Sequence, residues 1–297
     1  MRGIRFFALA ALLGARPALS QATAPDLPFR IPVLVYHLIG EKDSRWGRSR
    51  DGLRRDLELL YERGYRPITV SQLVDRQFDI PAGTSPVVIT FDDASPGQFS
   101  YIEQNGLLEI DPNSGVGIWL AFSRAHPDWR DRATFCLLPG ASAGHAFFGD
   151  KGIDGQKTEW RLRKVRFLAE QGFELCNHTL WHARLNKYSD AVVQEQVARG
   201  LLAIDSAVAG YRVRTFALPL GLWPTNHALA LTGRWTDPHS GRAVEYRFDA
   251  ILEVTGALSG TPYGPGFNPR SIHRTQVIGE NLRTLLDEIE PHRFRPR

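Results

Sequence analysis

The sequence predicts an α/β fold built on a parallel sheet, in a single domain. Three observations point there. Short continuous apolar runs recur along the chain, segments of helical periodicity separate them, and no repeat or low-complexity linker interrupts the succession. Continuous apolar runs are what strands buried on both faces require, and their alternation with helices is the pattern of βα units. The 297 residues could hold one large α/β barrel or two smaller domains, and the missing linker favours one.

Taken in order, Arg2 and Arg5 precede an apolar stretch from Phe6 to Leu13, and small residues follow at Ala18, Ser20 and Ala22. That is the order of a secretory signal peptide, and the apolar part is too short for a permanent span. The reading is a signal over residues 1–22 cut near its end, one catalytic domain over 23–297, and a periplasmic or secreted protein. An uncut N-terminal anchor is the alternative.

The strand candidates are Val33–Tyr36, Val87–Phe91, Thr134–Leu138, Phe173–Cys176, Thr215–Leu218 and Ala250–Val254. Between them, Leu53, Leu57 and Leu60 line one helix that Gly64 ends, and Leu162, Val165 and Leu168 line another that Gly172 ends. A longer helix runs from about Ser189, an N-cap, to the stop at Gly210. The long connection over residues 94–132, with Trp119 and Trp129, reads as a lid or substrate-binding insertion. A second irregular stretch covers residues 223–247.

Charge says little about partners. The formal net charge of +4 falls to +1 once Arg2, Arg5 and Arg16 of the signal are removed, and no basic stripe suited to nucleic acid remains. Cys136 and Cys176 each sit in an apolar run. They could pair if their strands are neighbours; buried reduced thiols are the preferred reading.

The chemistry lies at strand ends. Asp92 and Asp93 directly follow Val87-Val88-Ile89-Thr90-Phe91, at the C-terminal end of a strand, where parallel α/β folds place active sites. Helix capping is the ordinary structural alternative for such aspartates. His178 and His182 follow the strand ending at Cys176, four residues apart, so one helical turn would align them. Asp93, His178 and His182 would supply three ligands to a divalent metal and leave a position for water. Asp92 would stay free to take a proton from that water. Imidazole and carboxylate donors suit zinc first, with cobalt, nickel or iron as alternatives.

Thr90-Phe91-Asp92-Asp93 and His178-Thr179-Leu180-Trp181-His182 resemble the first two signatures of the polysaccharide deacetylases, carbohydrate esterase family 4. Ala133-Thr134-Phe135 and Glu174-Leu175-Cys176-Asn177 are similar to that family's flanking strands, and Pro32-Val33-Leu34-Val35-Tyr36-His37 resembles the opening of its poly-N-acetylglucosamine deacetylase branch. The resemblance spans about residues 31–290 and implies a distorted (β/α) barrel of about seven parallel strands. It implies Asp92 as general base, Asp93, His178 and His182 as metal ligands, and His37 as general acid. A structural role is the alternative for His37, and His273 is an alternative acid.

One signature departs. Phe216-Ala217-Leu218-Pro219-Leu220-Gly221 stands where many members have Arg-Pro-Pro-Tyr-Gly. Leu220 keeps the backbone N–H that the family uses to hold the oxyanion. Arg274 is the candidate to orient Asp92 in place of the lost arginine. The implied activity is metal-dependent removal of N-acetyl groups from an acetylated polysaccharide or oligosaccharide. A carbohydrate-binding pseudoenzyme, an O-acetyl esterase and a glycoside hydrolase using two opposed carboxylates and no metal are the alternatives. Trp119, Trp129, Trp181, Trp223 and Trp235 would suit stacking on sugar rings or packing on the barrel rim.

Overall fold

The computed structural model describes residues 29–140 and 146–296; the expected signal peptide lies outside the described residues. Eight strands form its central sheet: β1 (Val33–Tyr36), β2 (Tyr65–Ile68), β3 (Ser85–Asp92), β4 (Thr134–Leu137), β5 (Glu174–Asn177), β6 (Thr215–Ala217), β7 (Ala250–Val254) and β8 (Ile272–Gln276). All their pairings are parallel. The order β1-β8-β7-β6-β5-β4-β3 closes on itself because β3 also pairs with β1, making a seven-stranded barrel.

Distortion comes from β3. Its first half, Ser85 to Val88, pairs with β2, while its second half, Thr90 to Asp92, pairs with β4. Thus β2 lies outside the ring and touches only one strand. That position tolerates Pro67, which cannot donate to a ladder.

Six helices cover the barrel: α1 (Arg50–Glu62), α4 (Arg161–Gln171) and α5 (Asp190–Ala207), where the periodicity places them, and α2 (Val70–Asp75), α3 (Gly115–Ala125) and α6 (Asn281–Ile289), which the sequence reading does not mark. Ser49 caps α1 through the Gly52 N–H, and Thr69 with Gln72 forms a capping box on α2. Gly172 ends α4 at a φ of 93°, a conformation open to glycine without a Cβ penalty. No described helix is long and apolar enough to cross a membrane.

The inside of the barrel is polar at one end. Glu174 is buried and accepts from the Thr134 and Thr215 hydroxyls at 3.1 and 2.6 Å. It also accepts from the Ser71 N–H and hydroxyl at 2.9 and 2.8 Å, so one carboxylate closes the barrel and satisfies the start of α2.

Two expectations need correction. Cys136 and Cys176 are not reduced: they are register partners on β4 and β5, fully buried, and joined as a disulfide with Cα atoms 4.2 Å apart. Equal register on adjacent strands points both side chains to the same face. The stretch 94–132 is not a loose lid. It folds into a hairpin, Tyr101–Gln104 with Leu107–Ile110, followed by α3. Trp119 and Trp129 are buried in the core, their ring centroids 5.6 Å apart.

Candidate metal centre and active site

Asp92 is the last residue of β3, and no helix follows Asp93, so neither aspartate is an N-cap. The chain turns instead through Asp93 and Ala94 at φ of 76° and 50°, an uncommon pair for residues with a Cβ. The second element is likewise a loop rather than a helical turn. Asn177 Oδ1 accepts from the Thr179 N–H at 2.7 Å, Thr179 Oγ1 from the His182 N–H at 3.1 Å, and Gln196 Oε1 from the Trp181 N–H at 3.2 Å. Thr179 and His182 both adopt positive φ, 68° and 62°. Left-handed residues cost energy, and their concentration here marks a geometry imposed by its surroundings.

These turns bring the predicted ligands together. His178 Nε2 lies 3.3 Å and His182 Nε2 3.6 Å from Asp93 Oδ1, and donor atoms of Asp93, His178 and His182 all fall within 4.8 Å of one another. His178 Nδ1 donates to the Ala217 carbonyl at 2.8 Å, which directs Nε2 toward Asp93. This donor set fits a divalent cation: a carboxylate and two imidazoles converge, and one imidazole has its tautomer fixed by the backbone.

Asp92 sits beside this group, with Oδ2 4.0 Å from His178 Nε2. Arg274 holds it in a bidentate pair, Nη1 to Oδ1 at 2.7 Å and Nη2 to Oδ2 at 2.6 Å. The guanidinium also donates to Thr90 Oγ1 at 2.9 Å and to the Glu253 carbonyl at 3.1 Å. Both charges are fully buried. Strand alternation explains the choice between neighbours on β8. Arg274 points inward, while His273 faces Glu253 at 3.6 Å. His273, the alternative acid, lines a different cavity from the one that holds His37, Asp92 and Asp93.

Charges follow the geometry. Burial by itself would raise the Asp92 carboxyl, yet Arg274 and then His178 hold it below the ordinary aspartate value. Asp93 is held well below it too, His178 outweighing the cost of burial. Burial would lower His178, but Asp92 and Asp93 raise it. Burial and the neighbouring His178 push His182 down to about 4. His37 is lowered, by burial above all.

His37, Leu220 and the metal group line one cleft of about 390 Å³. His37 Nδ1 is buried without a hydrogen-bond partner among the described residues, and the ring meets Trp46 edge-on at 5.4 Å. Leu220 is half exposed at a φ of 59°, inside the turn Pro219–Gly221. That turn bonds the Gly221 and Leu222 N–H groups to Leu218 and Pro219, whereas the Ala217 carbonyl takes His178 Nδ1. Trp181, 42% exposed, lies outside the cleft lining, as do the partly buried Trp223 and Trp235.

Sequence reasoning misses two contributors. Trp46, in a polar loop without periodicity, forms a wall of the cleft. Gln98 is fully buried, and its side-chain amide donates to the carbonyls of both His37 and Asp92, tying the ends of β1 and β3 together. Nothing in its local sequence signals this.

Residues 131–233 match the family model described as polysaccharide deacetylase. That segment is similar to a polysaccharide deacetylase domain. Solved structures agree on the fold. The deacetylase PplD of Streptococcus pyogenes, in complex with acetate, is 16% identical with a TM-score of 0.62, over 89% of this chain and 100% of that one. IcaB from Ammonifex degensii is 17% identical with a TM-score of 0.58, over 88% and 97%. A de-N-acetylase from Aggregatibacter actinomycetemcomitans is 14% identical with a TM-score of 0.55, over 86% and 99%. No curated protein matches the chain. The closed seven-stranded ring described above is the fold these structures share, and His178 and His182 fall within the matched segment.

Proposed function

We propose that the protein is a metal-dependent hydrolase that removes N-acetyl groups from a polysaccharide of N-acetylhexosamine type. The observation that carries this reading is the pairing of Arg274 with Asp92 one residue from Asp93. One aspartate is locked for proton transfer while its neighbour joins His178 and His182. The family match and the deacetylase names of the structural neighbours support an acetyl group as the one removed.

A divalent cation held by Asp93, His178 and His182, zinc in the first instance, would supply Lewis acidity and a water of lowered pKa. Asp92, kept ionised by Arg274, would take the water proton. The Leu220 N–H, in the turn that lines the cleft, would receive the oxyanion. His37 gives a proton to the departing amine nitrogen, so acetate and a free amino sugar result. Its lowered pKa makes the protonated ring a stronger donor. The apolar walls Leu38, Trp46, Leu218 and Val254 suit the faces of a sugar ring. The buried disulfide supports export to an oxidising compartment, in line with the charged-then-apolar N-terminal segment.

The test is acetate release from N-acetylglucosamine oligomers by purified protein, with chelator and with zinc or cobalt restored. Asp92→Asn should keep the metal and lose on the order of 10² to 10⁴ in kcat, the usual contribution of a general base. Metal-loaded protein that binds oligomers but releases no acetate would refute the reading.

A further inference from the structure

Lys164 on α4 is a fully buried amine, and among the described residues no acidic side chain bonds to it. A lysine kept there at the cost of desolvation does something an apolar residue of its size would not. Its Nζ donates to the Phe148 carbonyl at 2.6 Å and to Gln156 Oε1 at 2.7 Å. Gln156 in turn bonds both backbone groups of Tyr101, accepting from its N–H at 2.9 Å and donating to its carbonyl at 3.0 Å. Arg161, on the same helix face, donates to the Ala146 and Pro139 carbonyls, each at 3.0 Å. One turn of α4 thus anchors the strap of residues 146–156.

That strap is strained where it matters. Phe147 and Phe148, neither a glycine, sit consecutively at φ of 53° and 68°. The Phe148 N–H donates to the Ala94 carbonyl at 2.7 Å. Ala94 follows Asp93, and both have positive φ. A continuous path therefore runs from Lys164 Nζ to the Phe148 carbonyl, across that residue to its N–H, and on to the turn that presents the Asp93 carboxylate.

We infer that Lys164 is a positioning residue for the metal ligand Asp93, acting through the Phe148–Ala94 hydrogen bond. The inference rests on the metal-site reading given above. Lys164→Met deletes both bonds and keeps an unbranched side chain one atom shorter. Zinc affinity, measured by competition with a chromophoric chelator, should weaken about 10-fold or more, as when bonds behind a metal ligand are lost. The visible spectrum of the cobalt-loaded variant should change as well. Leu168→Ala, on the core face of the same helix but outside this path, is the control for simple destabilisation. It should lower Tm and leave zinc affinity and cobalt spectrum as in the unaltered protein.

Lys164→Met with unaltered zinc affinity and cobalt spectrum overturns the assignment. If that variant does not fold, amide exchange in the unaltered protein reads the same coupling. Zinc should slow exchange of the Phe148 N–H, since coupling between two sites is reciprocal; an unchanged rate overturns the assignment. Unaltered protein that takes up no zinc overturns the metal-site reading itself, a failure visible before any variant is made.

Discussion

Replacing Arg274 with methionine isolates the interaction on which the proposed chemistry depends. Four hydrogen bonds are lost, two of them to Asp92 at 2.7 and 2.6 Å, and a fully buried carboxylate is left without its cation. Breaking a buried pair from one side costs about 3–5 kcal/mol. For a domain of this size, at roughly 2–4 °C per kcal/mol, Tm should fall by about 6–20 °C. The pH dependence should also invert. With Arg274 present the folded Asp92 pKa lies below its ordinary value, so the pair's stability is complete above about pH 4 and lost as pH falls further. Without Arg274, burial dominates and the folded pKa rises. The variant then loses stability as pH climbs through that raised value and recovers it on acidification. Urea melts of chelator-treated protein across this range test both statements, and Asp92→Asn in the same background should restore much of the loss because no charge remains to strand. Arg274→Met within about 1 kcal/mol of the unaltered protein, with a parallel pH profile, would refute the argument; exposed pairs fall in that range.

Two further expectations concern the rest of the fold. Burial pushes the Lys164 amine down to about 7. Since its folded pKa is below its unfolded value near 10.4, the unfolded chain binds more protons between them, and stability should rise over that interval by at most a few kcal/mol. Lys164→Met should flatten that rise in melts at about pH 7 and about pH 10, and an equally steep profile in the variant would assign the effect elsewhere. The Cys136–Cys176 bridge closes a separation of 40 residues, for which chain entropy predicts about 4 kcal/mol. The double alanine variant should lose stability on that order, whereas free thiols titrating in freshly unfolded, unreduced protein would mean that the bridge does not form.

Much of the architecture is legible in the chain because burial on both faces leaves continuous apolar runs. Six of the eight central strands announce themselves this way. The two exceptions have physical causes. Tyr65–Ile68 contains Pro67 and Arg66, tolerated because this strand pairs along one edge only. Ile272–Gln276 is mostly polar because it delivers Arg274 to the barrel interior. Of the candidate site, the acidic pair, the two histidines and His37 can be picked out by residue type and position at strand ends, whereas Arg274, in the middle of β8, comes to notice only as a stand-in for the arginine that the third signature lacks.

What the sequence alone determined is therefore the strand–helix alternation and the inventory of ionisable groups where strands stop. Only the tertiary structure decided their relations. Closure of β1 onto β3 brings His37 into the cleft with Asp92, and the register of β4 with β5 joins the cysteines. The inward face of β8 gives Asp92 its cation, and left-handed turns at Asp93, Thr179 and His182 aim the ligands at one point. Those relations link residues up to 182 positions apart. Local propensity and periodicity reach only a few residues along a chain, so distances of that kind are set by the closed sheet and not by any segment of it.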